Sequence, residues 1–412
     1  MSVRGWLLWT IPIGMVACKG QTTAPIQPDP VVPAPKPAPS PTPVAEASRV
    51  LFQGRVVDLK ARSLLRVLEK DRPRHEAEHG DLAYLAYPGE LRAYDMNTGA
   101  KRWTAPLTCD AVAAGPGGAF CGTSTGVVRC EPKTGAATTV SVKPATQLLA
   151  IQGRILGAHV DKTLDVWDAT SGAAVGSSTM PFIVYGPREG FVANAKGACA
   201  TSTGKELELF CVDATAKTVL SRSYPLAKPT DTPGTWFTRR QLDSQFAVAS
   251  TWFGKGTRRG VVVRVTDGVE LARLEEELVA AIGSDLIAER LLVTQPSTKL
   301  LDPSGKVRWT STEKLNDAAA ALQVGRAIVV SSYHPIATGA DLWAFDKTTG
   351  STLWKGDVSL LPIAHSKYSN HVELSLAFDH LMLRGTEAGQ VYLELFDPKD
   401  GTRKFETVLA NW

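Results

Sequence analysis

Charge of either sign is not in excess in this chain: 45 Lys and Arg face 41 Asp and Glu across 412 residues, a formal net charge of +4. Without a basic field there is no electrostatic footing for nucleic acid, and no nucleic-acid partner is expected. Cys-x-x-Cys is absent among the six cysteines, which removes the usual zinc arrangement, so no metal is expected. The apolar stretch from Gly5 to Gly14 is too brief to span a bilayer by itself. Helical stretches between the apolar segments are missing as well. What remains is a chain of strands.

Those strands repeat. In Leu342-Trp-Ala-Phe-Asp346-Lys-Thr-Thr-Gly350-Ser-Thr-Leu-Trp354, alternating apolar positions run into an Asp that opens a tight turn. Gly350 supplies the positive φ that the turn needs, and a second strand carries Trp354 back. The frame returns around Asp95 and Gly99, Glu131 and Gly135, Asp168 and Gly172, Asp302 and Gly305, and Asp397 and Gly401. Weaker copies surround Asp213 and Asp267-Gly268. The eight turn acids lie 35 to 54 residues apart, the length of a four-stranded blade. The expected fold is all-β: a single β-propeller over residues 49–412 with eight four-stranded blades, or seven if a weak copy is not a blade. Arg49 to Leu59 is expected as a strand that completes the last blade, and Leu64 to Lys70 reads as strand or short helix.

The first 48 residues stand apart from this array. Arg4 precedes the apolar stretch, and Met15-Val-Ala-Cys18 follows it. This resembles the lipobox of bacterial lipoproteins, which implies a signal peptide over 1–17 and a lipidated Cys18 that attaches the chain to a membrane. Lys19 rather than Asp after the Cys is similar to outer-membrane lipoproteins, which implies an outer-membrane anchor facing the periplasm. Residues 21–47 hold nine prolines, including Pro-Ala-Pro-Lys-Pro-Ala-Pro-Ser-Pro-Thr-Pro. Such a segment favours extended polyproline II over a packed core, so 18–48 is expected to be a lipidated, disordered linker.

Five cysteines remain after Cys18. Cys121 to Cys130 reads as a hairpin with Thr125-Gly126 at its tip, which sets residue 121 opposite 130. Cys211 falls opposite Cys199 if the loop is Gly204-Lys205-Glu206. Disulfides Cys121–Cys130 and Cys199–Cys211 are therefore expected, with Cys109 left over, against the alternative that all five are buried thiols.

The turn signature carries a family resemblance. Apolar-x-Apolar-Asp-x-x-Thr-Gly-x-x-x-Trp, as in Asp95 to Trp103 and Asp346 to Trp354, resembles the PQQ-like repeat of quinoprotein-type propellers. In that family the Trp packs between neighbouring blades. Trp309 follows a Gly that comes one residue earlier, Phe405 is conservative, and Thr139 and Gly176 depart. The resemblance implies either a docking platform or a quinone-dependent dehydrogenase. Those enzymes add an adjacent Cys-Cys pair, calcium ligands and longer loops. No Cys-Cys occurs here.

Two short motifs point to other chemistry. His75-Glu76-Ala77-Glu78-His79 satisfies the zincin pattern, which needs both His on one face of a packed helix. Pro73 and Gly80 leave barely two turns, so a polar loop is expected. Gly122-Thr-Ser124-Thr-Gly126 matches the nucleophile elbow, but Val127 to Cys130 continues as a strand where a helix is required.

The reading that survives is a non-catalytic, cell-envelope interaction scaffold, monomeric and without a cofactor. It is similar to propeller lipoproteins of outer-membrane β-barrel assembly; a quinone-dependent enzyme or small-ligand propeller is the alternative. The longest insertions hold Trp236, Phe237, Arg239, Arg240, Arg258 and Arg259. Aromatics beside Arg are what interface hot spots favour, and these six are the expected partner-binding residues. The competing view puts the arginines on a solvated rim.

Overall fold

The structure is a computed structural model that describes residues 48–184, 190–228, 238–252, 258–290, 297–311, 313, 315, 318–332, 342–358, 371–387 and 390–409. Residues 47–412 form one compact unit. Every regular element among the described residues is a strand, and the strands make nine antiparallel sheets in chain order. Sheet 1 covers residues 49–67 and has three strands. Sheets 2 to 9 cover 75–105, 111–141, 145–179, 192–225, 238–274, 277–310, 318–356 and 371–409, with four strands each.

The core shows how the sheets close on themselves. Each of nine apolar clusters joins one sheet to the next. The ring closes through sheet 1. Leu51 and Val56 pack against Ala83, Leu85 and Tyr87 of sheet 2, whereas Phe52 and Val57 pack against Val391, Leu393 and Leu395 of sheet 9. Alternation along a strand sends consecutive residues to opposite sides, so one short sheet seals two neighbours. First strands of successive sheets run beside one another nearest the axis, and fourth strands such as Ala137–Ser141 lie outermost and exposed.

The turn signature is the device that locks neighbours. Asp346 Oδ1 accepts the Thr348 and Thr349 amides at 2.9 and 3.1 Å, and the Gly350 amide donates to the Asp346 carbonyl at 2.8 Å. The tryptophan of one sheet then docks on the turn of the next. Trp103 Nε1 donates to the Pro132 carbonyl, Trp309 to Lys347 and Trp354 to Pro398, at 2.9, 2.9 and 3.0 Å. Each indole lies under the glycine of that turn. A Cβ on Gly350, at φ +72°, would stand 2.7 Å from Trp309. Glycine is thus required twice, for its backbone and for the approach of the ring. Where the Trp is missing, Val140, Leu220 and Leu274 take the same place against Gly172, Gly268 and Gly305.

The expected count of eight or seven blades is corrected to nine sheets. All eight signature copies, including those at Asp213 and Asp267, lie in sheets of their own, each between the third and fourth strands. The extra sheet is 49–67, and Arg49 to Leu59 does not complete the last blade. Sheet 9 takes its fourth strand from Arg403–Leu409, so it has no vacancy to fill. Arg49–Phe52 instead pairs with Arg55–Asp58, which pairs with Ser63–Val67; the segment left open between strand and helix is a strand. Sheet 1 carries a degenerate signature. Asp58 Oδ1 accepts the Ala61 amide at 2.8 Å, Arg62 takes the positive φ, and Arg66 lies against Gly99 where other sheets place Trp. By this alignment its strands correspond to the second, third and fourth of the other sheets.

Candidate functional site

His75-Glu76-Ala77-Glu78-His79 is a strand, not a polar loop, and it is the first strand of sheet 2. Alternation puts the two glutamates on one side and the histidines on the other, and four residues of strand separate the histidines by about 13 Å. They cannot share a metal ion, and no group of three potential ligands is arranged for one among the described residues. The glutamates act on sheet 1 instead. Glu78 Oε2 accepts the Leu51 amide at 2.9 Å, and Glu76 takes the Gln53 and Gly54 amides at 2.8 and 3.0 Å. Burial raises both carboxyl pKa values, more than the amide hydrogen bonds lower them. Glu78 still has exposed surface. Burial lowers the pKa of His75.

Ser124, at the centre of the expected non-elbow, occupies a two-residue turn between Gly118–Thr123 and Gly126–Cys130. A strand follows it, so the helix that a nucleophile elbow needs is not there.

The two faces of the ring differ in their connections. Since neighbouring strands are antiparallel, first-to-second and third-to-fourth connections emerge on one face, and second-to-third and sheet-to-sheet connections on the other. On the former face no connection exceeds six residues. On the latter, twelve residues join sheets 4 and 5, twelve join sheets 5 and 6, and fourteen join sheets 8 and 9; nine separate the middle strands of sheet 8. Length variation at one end of a rigid scaffold is where binding residues concentrate. The short-connection face carries a cleft of about 740 Å³ between sheets 8, 9 and 1, lined by Arg62, Leu353, Leu376, His380 and Lys399.

Four of the six residues expected to bind a partner fall on the long-connection face. Trp236 and Phe237 lie outside the described residues. Arg239 and Arg240 are on Thr238–Leu242, in register with Ser250 and Ala249, and Arg258 and Arg259 open Arg258–Arg264. All four arginines therefore stand at one end of sheet 6. Arg259 is only 6% exposed; its Nη1 donates to the Leu226 carbonyl at 3.3 Å, and its Nε is 3.8 Å from Glu275. Arg258 Nη1 lies 3.4 Å from Glu277, itself buried. Exposed Glu275 and buried Glu277 are the counter-charges to these arginines, and Lys299 holds Glu276 at 2.9 Å. Neither Arg258 nor Arg259 is a solvated rim residue.

Residues 258–411 match the family model described as outer membrane protein assembly factor BamB. That match covers just over a third of the chain. A search of curated proteins finds no match. Among solved structures, this propeller is similar to BamB from Moraxella catarrhalis, at 13% identity and TM-score 0.44 over 75% of this chain and 92% of that one. It is also similar to the Dos1 propeller, at 12% identity and TM-score 0.42 over 82% of each chain. The computationally designed Ika8 protein matches at 12% identity and TM-score 0.44, over 81% and 86%.

Cysteine pairing in the propeller departs from the expectation in one of two places. Cys199 and Cys211 face each other directly and are bonded. Cys121, however, is bonded to Cys109, and Cys130 is a buried free thiol. The hairpin tip is Ser124-Thr125 rather than Thr125-Gly126. Thr123 Oγ1 accepts the Thr125 amide and donates to the Gly126 carbonyl, which closes the turn one residue early. That shift sets Cys121 opposite Val128 and Cys130 opposite Ala119. Burial pushes the Cys130 thiol up to about 11. Iodoacetamide at pH 8 is therefore expected to leave Cys130 unlabelled in the folded protein and to label it in urea, while non-reducing peptide maps show the 109–121 and 199–211 links. A 121–130 peptide link would contradict this arrangement.

Proposed function

We propose that this propeller is a non-catalytic protein-interaction scaffold of the bacterial cell envelope, held by a lipid on Cys18 and docking partners through its long-connection face. The observation that carries the reading is the one-sided distribution of connection lengths. Short turns join the strands on one face, while connections of nine to fourteen residues leave and rejoin the strands on the other. Trp236, Phe237, Arg239 and Arg240 are the proposed contact residues, and Arg258 and Arg259 order the same end of sheet 6. The match of 258–411 to a family described by its part in outer-membrane protein assembly supports an outer-membrane, periplasm-facing role in that process.

Photo-crosslinkers at Lys228 and Asp357, both exposed at the long-connection ends of sheets 5 and 8, are expected to capture an envelope protein in the native membrane. Crosslinkers at Val269 and Val307, exposed on the opposite face, are expected to capture none. Adducts from the second pair alone would reverse the assignment of the face. Cys18→Ala is expected to move the protein from the membrane to the soluble fraction. A rise in melting temperature on adding pyrroloquinoline quinone with calcium would replace the scaffold reading with the dehydrogenase one.

A further inference from the structure

Sheet 1 is the exception in the ring. In the other eight sheets, the second strand is covered on its axial side by a first strand of three to seven residues. In sheet 1, Arg49–Phe52 occupies the second-strand position, and its only strand partner among the described residues is Arg55–Asp58. The Ser48 carbonyl accepts the Leu59 amide, so even-numbered residues face that partner and odd-numbered ones face the open edge. The Leu51 and Gln53 amides on that edge are those held by Glu78 and Glu76.

These carboxylates are an incomplete substitute for a strand. A carboxylate only accepts, so it satisfies an amide but gives nothing to the Leu51 carbonyl, which points to the same side. The edge is reachable: Glu78 is exposed, and Arg49, Val50 and Glu76 are partly so. Guanidiniums also stand around the two carboxylates, with Arg49 itself held by Asp81 at 2.7 Å and Arg72 donating to Gln53 Oε1 at 2.7 Å. Arg72 and Arg384 lie close enough to Glu76 to act on its charge, and Arg384 and Arg49 on that of Glu78.

We propose that the open edge of Arg49–Phe52 is a strand-addition site for an extended segment of a partner polypeptide. About four to six residues would pair antiparallel to it, taking the Leu51 and Gln53 amides from Glu78 and Glu76 and donating to the Leu51 carbonyl. The eight complete sheets show what covers this edge in the same ring: backbone. The local arginines already balance the displaced carboxylates, so the segment is uncharged, and the residues paired with Leu51 and Gln53 are not proline. The caps satisfy the amides without a strand, so the edge suits a partner that comes and goes. This site is independent of the docking face proposed above.

The test is fluorescence anisotropy of a labelled Thr-Val-Thr-Val-Thr-Val amide titrated with the full-length protein and with variants whose cooperative unfolding has been verified. Saturable binding is expected. Removing both caps in Glu76→Ala/Glu78→Ala should tighten it about tenfold, with an intermediate gain for Glu76→Gln/Glu78→Gln, whose amide oxygens accept less strongly. Arg49→Pro removes an edge amide that faces no neighbouring strand and should weaken binding about tenfold. Failure of the peptide to bind the uncapped variants, or equal binding to Arg49→Pro, would overturn the proposal. So would self-association of the uncapped variants that Arg49→Pro suppresses, since a second copy would then be the occupant.

Discussion

Trp354→Ala is expected to lower the free energy of unfolding by about 3–5 kcal/mol, the range for truncating a buried aromatic. The indole is 8% exposed, donates to the Pro398 carbonyl, and lies under Gly401 of the next sheet. The loss therefore falls on the junction of sheets 8 and 9 and not on sheet 8 alone. Gly401→Ala is expected to cost about 1–3 kcal/mol from overpacking, with about 1–2 more for a Cβ in the left-handed region at φ +72°. The double variant separates these terms. Once Trp354 is gone, the overpacking disappears and only the backbone strain remains, so the two losses should sum to more than the double variant shows. Urea denaturation with each variant measures all three values. Strict additivity would mean that the indole and the turn do not bear on each other.

Val56→Asp and Val57→Asp test ring closure, and each is expected to destabilise by more than about 3 kcal/mol, because an unpaired carboxylate must be buried or neutralised. Both valines are fully buried, but they point opposite ways, Val56 into the cluster with sheet 2 and Val57 into that with sheet 9. If 49–67 merely completed the last sheet as its outermost strand, where fourth strands are exposed, neither would be as costly. A nine-membered ring requires both to be. Thermal unfolding of the two variants decides between these arrangements, and Arg66→Ala, on the outer strand, serves as a mild comparison.

Several features of the site were legible only in part. The H-E-A-E-H segment reads equally as a polar loop, since it has no apolar residue but Ala77. The signal that it is a strand was its period of two running into Leu82–Tyr87. That Glu76 and Glu78 cap another sheet's edge could not be read, because their partners, Leu51 and Gln53, lie more than twenty residues away. Arg258 and Arg259 beside aromatics look like a hot spot, yet the acids near them, Glu277 and Glu275, sit at the start of the next sheet and in the connection just before it. The pairing of Cys121 failed by one residue of turn placement, which in a hairpin displaces the opposing residue by two.

The sequence by itself determined the repeat unit: the Asp that takes the turn amides, the Gly at positive φ and the Trp that returns. These are local events, settled within about ten residues by backbone sterics and short hydrogen bonds. Only the tertiary structure decided that nine sheets close the ring, that Arg49–Phe52 has an open side, and that Cys121 bonds to Cys109. Closure depends on which apolar faces meet across sheets distant in sequence, and Val56, Val57 and Val391 look alike until the ring brings them together.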